Sequence, residues 1–150
     1  MLALKNHLTT ALLTSLGTPL CTARRTALDD TIAQLQACRI QINLDDTDLS
    51  GCNLSTFDLR GATAKGASFV HTTMAGTTLD GADFTGSTFF NVYISHTELR
   101  DTILKDTRWT RCAITDTNLI RTDLTGATMT QLIFANSDAS HVKTSDPAWM

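Results

Sequence analysis

The sequence predicts a repeat architecture over most of its length, preceded by a helical segment. Apolar residues recur every five positions from residue 44 to residue 134, small residues stand two positions before most of them, and glycine often stands two positions after. A period of five fits neither an α-helix, with 3.6 residues per turn, nor a strand, with two. Self-similarity at a fixed period is typical of a solenoid, in which each unit buries its apolar face only against its neighbours.

The composition is that of a folded chain with a core. Of its 150 residues, 42% are hydrophobic and 18% are charged, which argues against disorder. The net charge of −3 argues against a generic nucleic-acid binder, so no direct nucleic-acid binding is expected. No run of 18 apolar residues occurs, so no membrane span is expected either.

Residues 1–41 are predicted to be α-helical and to cap the first coil of the repeats. Leu8, Leu12 and Leu16 recur at helical spacing, Gly17 fits the end of a first helix, and Pro19 fits the start of a second. The second helix places further apolar residues on one face, namely Ala27, Leu28, Ile32, Leu35 and Cys38. Short amphipathic helices do not bury such a face alone, so both are expected to pack against the repeats.

The repeat itself occupies residues 42–142 and is followed by a tail, residues 143–150. Of the 19 central positions from 44 to 134, all but Ala64 are large and apolar. Representative units are Thr47-Asp48-Leu49-Ser50-Gly51, Ala82-Asp83-Phe84-Thr85-Gly86 and Thr122-Asp123-Leu124-Thr125-Gly126. Their pattern resembles the pentapeptide-repeat family, which has a central Leu or Phe and a small residue two positions earlier.

The resemblance implies the fold in detail. Members of that family form a mainly β, right-handed quadrilateral β-helix, in which four pentapeptides make one square coil of twenty residues. This chain would then have about five coils with an N-terminal helical cap, and residues twenty apart would stack. The large indole of Trp109 would fit poorly in such a coil, so the wall is expected to bulge there or Trp109 to turn outward. The inward Thr77, Thr97 and Thr117 are expected to hydrogen-bond along the axis.

The same stacking predicts that Cys21, Cys38, Cys52 and Cys112 are free thiols. Cys52 and Cys112 would lie three coils apart, about 14 Å at the usual strand spacing. That distance exceeds the limit of about 7 Å between the Cα atoms of a disulfide. Cys21 and Cys38 would lie near opposite ends of one helix. Free thiols favour a reducing compartment, so a cytoplasmic location is expected, with a secreted bacterial effector as the alternative.

No enzymatic activity and no cofactor are expected. His71, His96 and His141 occupy an outward position of the repeat, and only His96 would stack beside a carboxylate, that of Asp116. No nucleophile accompanies them, a convex rod offers no pocket, and no cysteine–histidine spacing indicates a metal site.

Two surface features are candidate protein-binding sites. Outward-facing apolar residues would stack as a strip, which is typical of a protein contact. The alternatives are contact with the terminal segments of the chain, or apolar residues that fill a strand face because of their β-propensity. Basic residues cluster in one coil, which favours an acidic partner or a ladder of solvated ion pairs. The candidates are Val70, Phe90, Tyr93 and Ile133 in the strip, and Lys105, Arg108 and Arg111 in the basic coil.

These features predict a non-enzymatic protein–protein interaction module of the adaptor or bacterial effector type. The alternative is a DNA-mimicking protein that binds DNA gyrase and protects against quinolones, as some members of the family resembled do. In the tail, Trp149 and Met150 are expected either to fold over the last coil or to bury against a second subunit. The partners predicted are therefore another protein and, through the C-terminal end, a second copy of the chain.

Overall fold

The computed structural model describes residues 30, 32–35, 37 and 41–147. Over residues 41–147 the chain forms a β-solenoid of stacked parallel coils, as the repeat predicts. Ten short strands carry the pairing: β1 (Ser68–Val70), β2 (Thr73–Ala75), β3 (Thr88–Phe90), β4 (Tyr93–Ser95), β5 (Arg108–Thr110), β6 (Ala113–Thr115), β7 (Asp123–Leu124), β8 (Thr128–Thr130), β9 (Ile133–Ala135) and β10 (Lys143–Thr144).

Every pairing joins residues twenty positions apart, which gives the solenoid four walls. The first wall is the parallel sheet β1-β3-β5-β8, and the second wall is the sheet β2-β4-β6-β9. The third wall consists of isolated bridges that run from residue 58 to residue 138. The fourth wall combines bridges from residue 43 onward with the β7–β10 pair. Bridges Asp48–Ser68 and Asn53–Thr73 add one further level to each of the two sheets.

Tight corners join the walls, and each requires a left-handed backbone. All seven glycines of the repeat, two positions after a central residue, have φ between 64° and 76°. The thirteen other residues at the same position, among them Thr56 and Arg111, also have positive φ. Glycine adopts this conformation without cost, whereas a β-branched residue such as Thr56 is strained in it. The five-residue geometry therefore fixes the corner conformation, and glycine lowers the conformational free energy that this conformation costs.

Central residues fill the interior as stacked columns. On the first wall the Phe69 and Phe89 rings stack at 4.9 Å between centroids and 5° between planes. Leu59, Leu79, Leu99 and Leu119 of the third wall are all buried. Flat rings and branched chains thus lie in layers that repeat at the spacing of the coils, about 4.8 Å.

The prediction for Trp109 is wrong. Its side chain is 1% exposed, and β5 pairs in register with β3 and β8, so the wall is regular there. The indole stacks on Phe89 at 3.9 Å between centroids and 7° between planes. Its Nε1 donates a hydrogen bond to Thr107 Oγ1 at 2.8 Å. The indole lies parallel to the neighbouring ring, so its larger size extends within the plane of the coil and not along the solenoid axis. The spacing between coils is therefore unchanged.

Inward hydroxyls link each coil to the one before. Thr77 Oγ1 donates to Leu54 O, Thr97 Oγ1 to Met74 O and Thr122 Oγ1 to Leu99 O, always 23 residues back. Thr72, Ser87 and Thr102 repeat this contact. Thr77 and Thr97 therefore bond along the axis as predicted, but to main-chain carbonyls rather than to one another. The prediction is wrong for the Thr117 hydroxyl, which donates to Thr115 O in its own coil at 2.8 Å.

The N-terminal helix is partly described. Residues 30, 32–35 and 37 are helical, and Ile32 and Leu35 are buried in the same core cluster as the first coils. The first predicted helix lies outside the described residues, and the domain boundaries at residues 41 and 142 stay predictions. Across the described ranges, the structure contains no helix of the length and apolarity that a bilayer span requires.

The prediction of four free thiols is wrong for Cys52. Cys112 is a buried free thiol, but Cys52 is disulfide-bonded, to a partner outside the described residues. The coil separation excluded only a Cys52–Cys112 bond, and Cys112 is free. Cys21 and Cys38 also lie outside the described residues.

Candidate protein-binding surface

The apolar strip divides into a half-buried part and an exposed part. Val70 and Phe90 are adjacent on the first wall through the β1–β3 register, and both are half-buried. Tyr93 and Ile133 are on the second wall, where they are 49% and 64% exposed. The exposed apolar surface is therefore concentrated at the corner between the two walls.

A notch separates the two exposed side chains. Tyr93 pairs with Ala113 in the β4–β6 ladder, and Ala113 pairs with Ile133 in the β6–β9 ladder. The larger residues therefore stand two coils apart, about 10 Å, with only a methyl group between them. A shallow depression opens at this place, lined by Arg111, Cys112, Ala113, Gln131, Leu132 and Ile133.

Gln131 orients the neighbouring arginine. The Arg111 Nε donates to Gln131 Oε1 at 3.0 Å, between equivalent corner positions of successive coils. This contact occupies one of the five N–H donors of a guanidinium. Gln131 is a functional candidate that the apolar and basic patterns do not mark, although its position twenty residues after Arg111 places it in the same corner column.

The basic residues predicted in one coil lie at successive positions around that coil. Lys105 belongs to the fourth wall, where its Nζ lies 3.4 Å from Asp123 Oδ2. Arg108 begins strand β5 on the first wall, and Arg111 follows that strand at the corner. The structure therefore places Arg111 at the apolar corner, Arg108 at the other end of the first-wall strand that leads to it, and Lys105 on the fourth wall. We call Phe90, Tyr93, Arg108, Arg111 and Ile133 the corner patch.

Ion pairs neutralise much of the third and fourth walls. Arg121 Nη2 lies 2.6 Å from Asp101 Oδ2, as the stacking predicts. Arg60 and Arg100 instead pair within their own coils, with Asp58 and Glu98. Lys65 pairs with Asp83, 18 residues later, as Lys105 does with Asp123.

These contacts shift the acid titration of the carboxylates. Hydrogen bonding from the Arg121 side chain holds the pKa of Asp101 below its ordinary value. Partial burial works to raise the pKa of Asp83, but hydrogen bonds from Thr85 and Lys65 outweigh it, so the pKa is lowered. Asp123, beside Thr125 and Lys105, follows the same balance.

Stability is therefore expected to fall in acid. A carboxyl whose pKa is lower in the folded state stabilises the fold above its unfolded pKa, and that contribution is lost as the pH falls through the folded pKa. We expect the urea midpoint to be level from pH 8 to about pH 5 and to decrease below about pH 4. Urea unfolding at each pH measures this. Asp83→Asn should reduce the pH dependence, whereas an equal midpoint at pH 7 and pH 3 would contradict it.

The described residues offer no sign of a catalytic or metal centre. Residues 30, 32–35, 37 and 41–147 contain no group of three or more His, Cys, Asp or Glu placed to hold a metal ion. His71 Nδ1 lies 2.8 Å from Asn91 Nδ2, a contact between exposed side chains. Burial raises the pKa of Cys112, which is the opposite of what activates a thiol.

Taken together, the four walls, the twenty-residue register and the inward layers define a β-solenoid built from five-residue units. Residues 42–79, 67–106, 94–131 and 110–143 match the family model for pentapeptide repeats, in eight copies. The chain belongs to the pentapeptide-repeat family.

Solved structures show the same fold. A pentapeptide repeat protein from the Arabidopsis thaliana thylakoid lumen is 25% identical, with a TM-score of 0.58 over 60% of this chain and 63% of that one. Rfr23, from the cyanobacterium Cyanothece 51142, is 23% identical, with a TM-score of 0.61 over 62% of this chain and 64% of that one. The match thus spans less than two thirds of either relative.

A resistance protein of the same family also matches. QnrB1, a plasmid-mediated fluoroquinolone resistance protein, is 20% identical, with a TM-score of 0.36 over 69% of this chain and 65% of that one. A likeness at this level carries no argument about function. No curated protein matches the sequence.

Proposed function

We propose that this protein is a non-enzymatic interaction module that binds another protein through the corner patch. One observation carries the proposal: Tyr93 and Ile133 remain about half exposed or more, in register on either side of Ala113. Tyrosine and arginine are enriched among the residues that dominate binding energy at protein interfaces, and Arg111 lies beside this pair. A partner that covered the corner would bury apolar surface now in contact with water.

Replacing the apolar residues of the patch should abolish binding and preserve the fold. Phe90→Asp and Tyr93→Asp place a charge where the partner would bury an apolar ring, so each should weaken binding at least tenfold. Because Tyr93 is about half exposed, Tyr93→Asp should unfold at nearly the wild-type temperature. Calorimetry or surface plasmon resonance with the identified partner measures the first effect, and thermal unfolding measures the second.

Asn118→Asp supplies the matched control for this experiment. Asn118 lies on the third wall, and its Oδ1 accepts a hydrogen bond from Ile120 N that a carboxylate accepts equally well. This variant adds the same charge on the wall opposite the first wall and should bind normally. Full binding by Tyr93→Asp, or unfolding of both patch variants, would overturn the proposal.

The alternative is a DNA mimic that binds gyrase and protects against quinolones. In the described part of the chain five carboxylates are already ion-paired, which breaks up the acidic surface that such mimicry needs. A gyrase supercoiling assay with and without a quinolone, titrated from nanomolar to tens of micromolar protein, separates the two. Inhibition or drug protection at low micromolar protein would favour the mimic, and no effect favours the interaction module.

We propose further that the C-terminal end binds a second copy of the chain. Phe134 is 37% exposed, whereas Ile94 and Ile114, its equivalents in earlier coils, are buried. Met129 is likewise only partly buried, in contrast to Trp109 above it. Light scattering after gel filtration should show a dimer, and Phe134→Glu should give a folded monomer. A wild-type chain that is monomeric at all concentrations would exclude this contact.

The proposed compartment follows from Cys52. The cytoplasmic location rested on free thiols, and Cys52 is disulfide-bonded. Disulfides persist in oxidising compartments, so we propose the secreted alternative instead. Alkylation of the native protein before and after reduction, followed by mass spectrometry, counts the bonded cysteines. Four alkylated cysteines without reduction would restore the cytoplasmic location.

A further inference from the structure

Three described cations lack an ion pair, namely Lys143 on the fourth wall and two neighbouring arginines on the first wall and its corner. Among the described residues, Arg60, Lys65, Arg100, Lys105 and Arg121 each lie within 3.4 Å of a carboxylate oxygen. Arg108 and Arg111 have no such contact, and they are three residues apart on one strand and its corner. The only hydrogen bond of the Arg111 side chain within the described chain is that from Nε to Gln131. Its terminal amino groups therefore remain free to bind a carboxylate.

The neighbouring second wall lacks charge. Its strands β2, β4, β6 and β9 carry Thr73, Ala75, Tyr93, Ser95, Ala113, Thr115, Ile133 and Ala135 beside the inward residues. None of these side chains is an acid or a base of the Asp, Glu, Lys, Arg or His type. A ligand that crosses the corner therefore meets two unneutralised cations on one side and an uncharged apolar notch on the other.

We infer that the partner presents an acidic segment in which one aliphatic or aromatic side chain is flanked by carboxylates. The apolar side chain lies over Ala113, between Tyr93 and Ile133. The carboxylates reach Arg111, whose planar guanidinium forms two parallel hydrogen bonds to such a group, and Arg108. This inference rests on the proposed function, because it identifies the chemistry of the partner at the same corner patch.

Charge complementarity selects this occupant over a neutral one. A neutral apolar segment would fill the notch but would leave two arginines beside it without a counter-charge. A basic segment would be repelled by both arginines. Gln131 supports the inference, because its contact with Nε holds the guanidinium at the edge of the depression rather than free in solvent.

A displayed library of random twelve-residue peptides tests the inference. The full-length wild-type protein is panned against the library, and enriched peptides are synthesised and measured by fluorescence anisotropy at 50 mM and 300 mM salt. We expect enriched sequences with Asp or Glu on both sides of a Leu, Ile, Phe or Trp. Arg108→Glu with Arg111→Glu should weaken their binding at least tenfold, and the higher salt should weaken it severalfold.

Matched variants separate failure of the inference from failure of the proposed function. Arg60→Glu together with Lys143→Glu makes the same change in charge on the third and fourth walls and should leave peptide affinity unchanged. Peptides that lose binding with Tyr93→Asp but carry no acidic residues would overturn the inference and leave the proposed function intact. Peptides indifferent to Tyr93→Asp, or no enrichment at all, would overturn both.

Discussion

Replacement of Trp109 by alanine should cost about 3–5 kcal/mol in the free energy of unfolding, the largest effect of any single change considered. The side chain is 1% exposed and stacks on Phe89, and a methyl group would leave a cavity in the first wall. Met129, below it, is only partly buried and belongs to the last stacked strand of that wall. The C-terminal coil should therefore loosen first.

Urea unfolding monitored by far-ultraviolet circular dichroism measures this loss. Trp109→Phe is the matched control, because Phe69 and Phe89 already occupy the same column and a third ring would extend their stack. It should retain most of the stability and lose only the hydrogen bond to Thr107. A loss below about 1 kcal/mol for Trp109→Ala would show that the indole does not support the wall.

The second large effect is expected at Ala82, where leucine should destabilise the solenoid by about 1–3 kcal/mol or more. Ala82 is fully buried at the small inward position, between Ala62 and Thr102 of the adjacent coils. Four walls close around this position, so a longer side chain meets packed neighbours on every side. The backbone would have to move outward, which would strain the pairing of Asp83 with Thr63 and Ile103.

Ala82→Thr should have the opposite effect on stability to Ala82→Leu, although both substitutions extend the side chain from the same Cβ atom. By analogy with Thr102, whose Oγ1 donates to Leu79 O at 3.0 Å, the new hydroxyl would donate to the carbonyl 23 residues earlier, that of Leu59. Net hydrogen-bond contributions of about 0.5–1.5 kcal/mol should make this variant as stable as the wild type or more so. Thermal unfolding of both variants gives the comparison. Equal stability of Ala82→Leu and Ala82→Thr would contradict the expectation that the inward position of Ala82 accepts only small side chains.

The sequence predicts the solenoid because its information is repeated. Each coil repeats the same pattern of inward-pointing positions, so one exception such as Ala64 does not obscure the period. Burial of Leu49, Phe69 and Leu119 follows directly from that rule. The stacking of Arg121 on Asp101 follows too, because both occupy the same outward position.

Features that depend on side-chain geometry could not be predicted in the same way. The fit of Trp109 depends on ring orientation, which the repeat does not specify. Arg60 and Arg100 pair with carboxylates in their own coils and not with residues twenty positions away, because a flexible side chain reaches several partners at similar distances. The disulfide at Cys52 was not predicted, because the coil separation addresses only a bond to Cys112.

The candidate surface was predicted in its apolar part and only partly in its charged part. Tyr93 and Ile133 could be placed from the twenty-residue stacking, whereas the ion pair of Lys105 with Asp123 depends on how far its side chain reaches. The stacking of Gln131 on Arg111 follows from the same register, whereas the hydrogen bond from Arg111 Nε depends on side-chain geometry.

The twenty-residue register also governs which changes in length the protein tolerates. Removal of twenty residues, which is one complete coil, leaves every later side chain on its own wall, shifted by one coil along the axis. The pattern of the surface is then shortened but otherwise unchanged. Removal of a single five-residue unit keeps the interior filled, because central residues still follow one another at the same step. It would, however, turn everything downstream by a quarter revolution, so that Ile133 would no longer face the same side as Tyr93. Binding would then be lost from a rod that still folds.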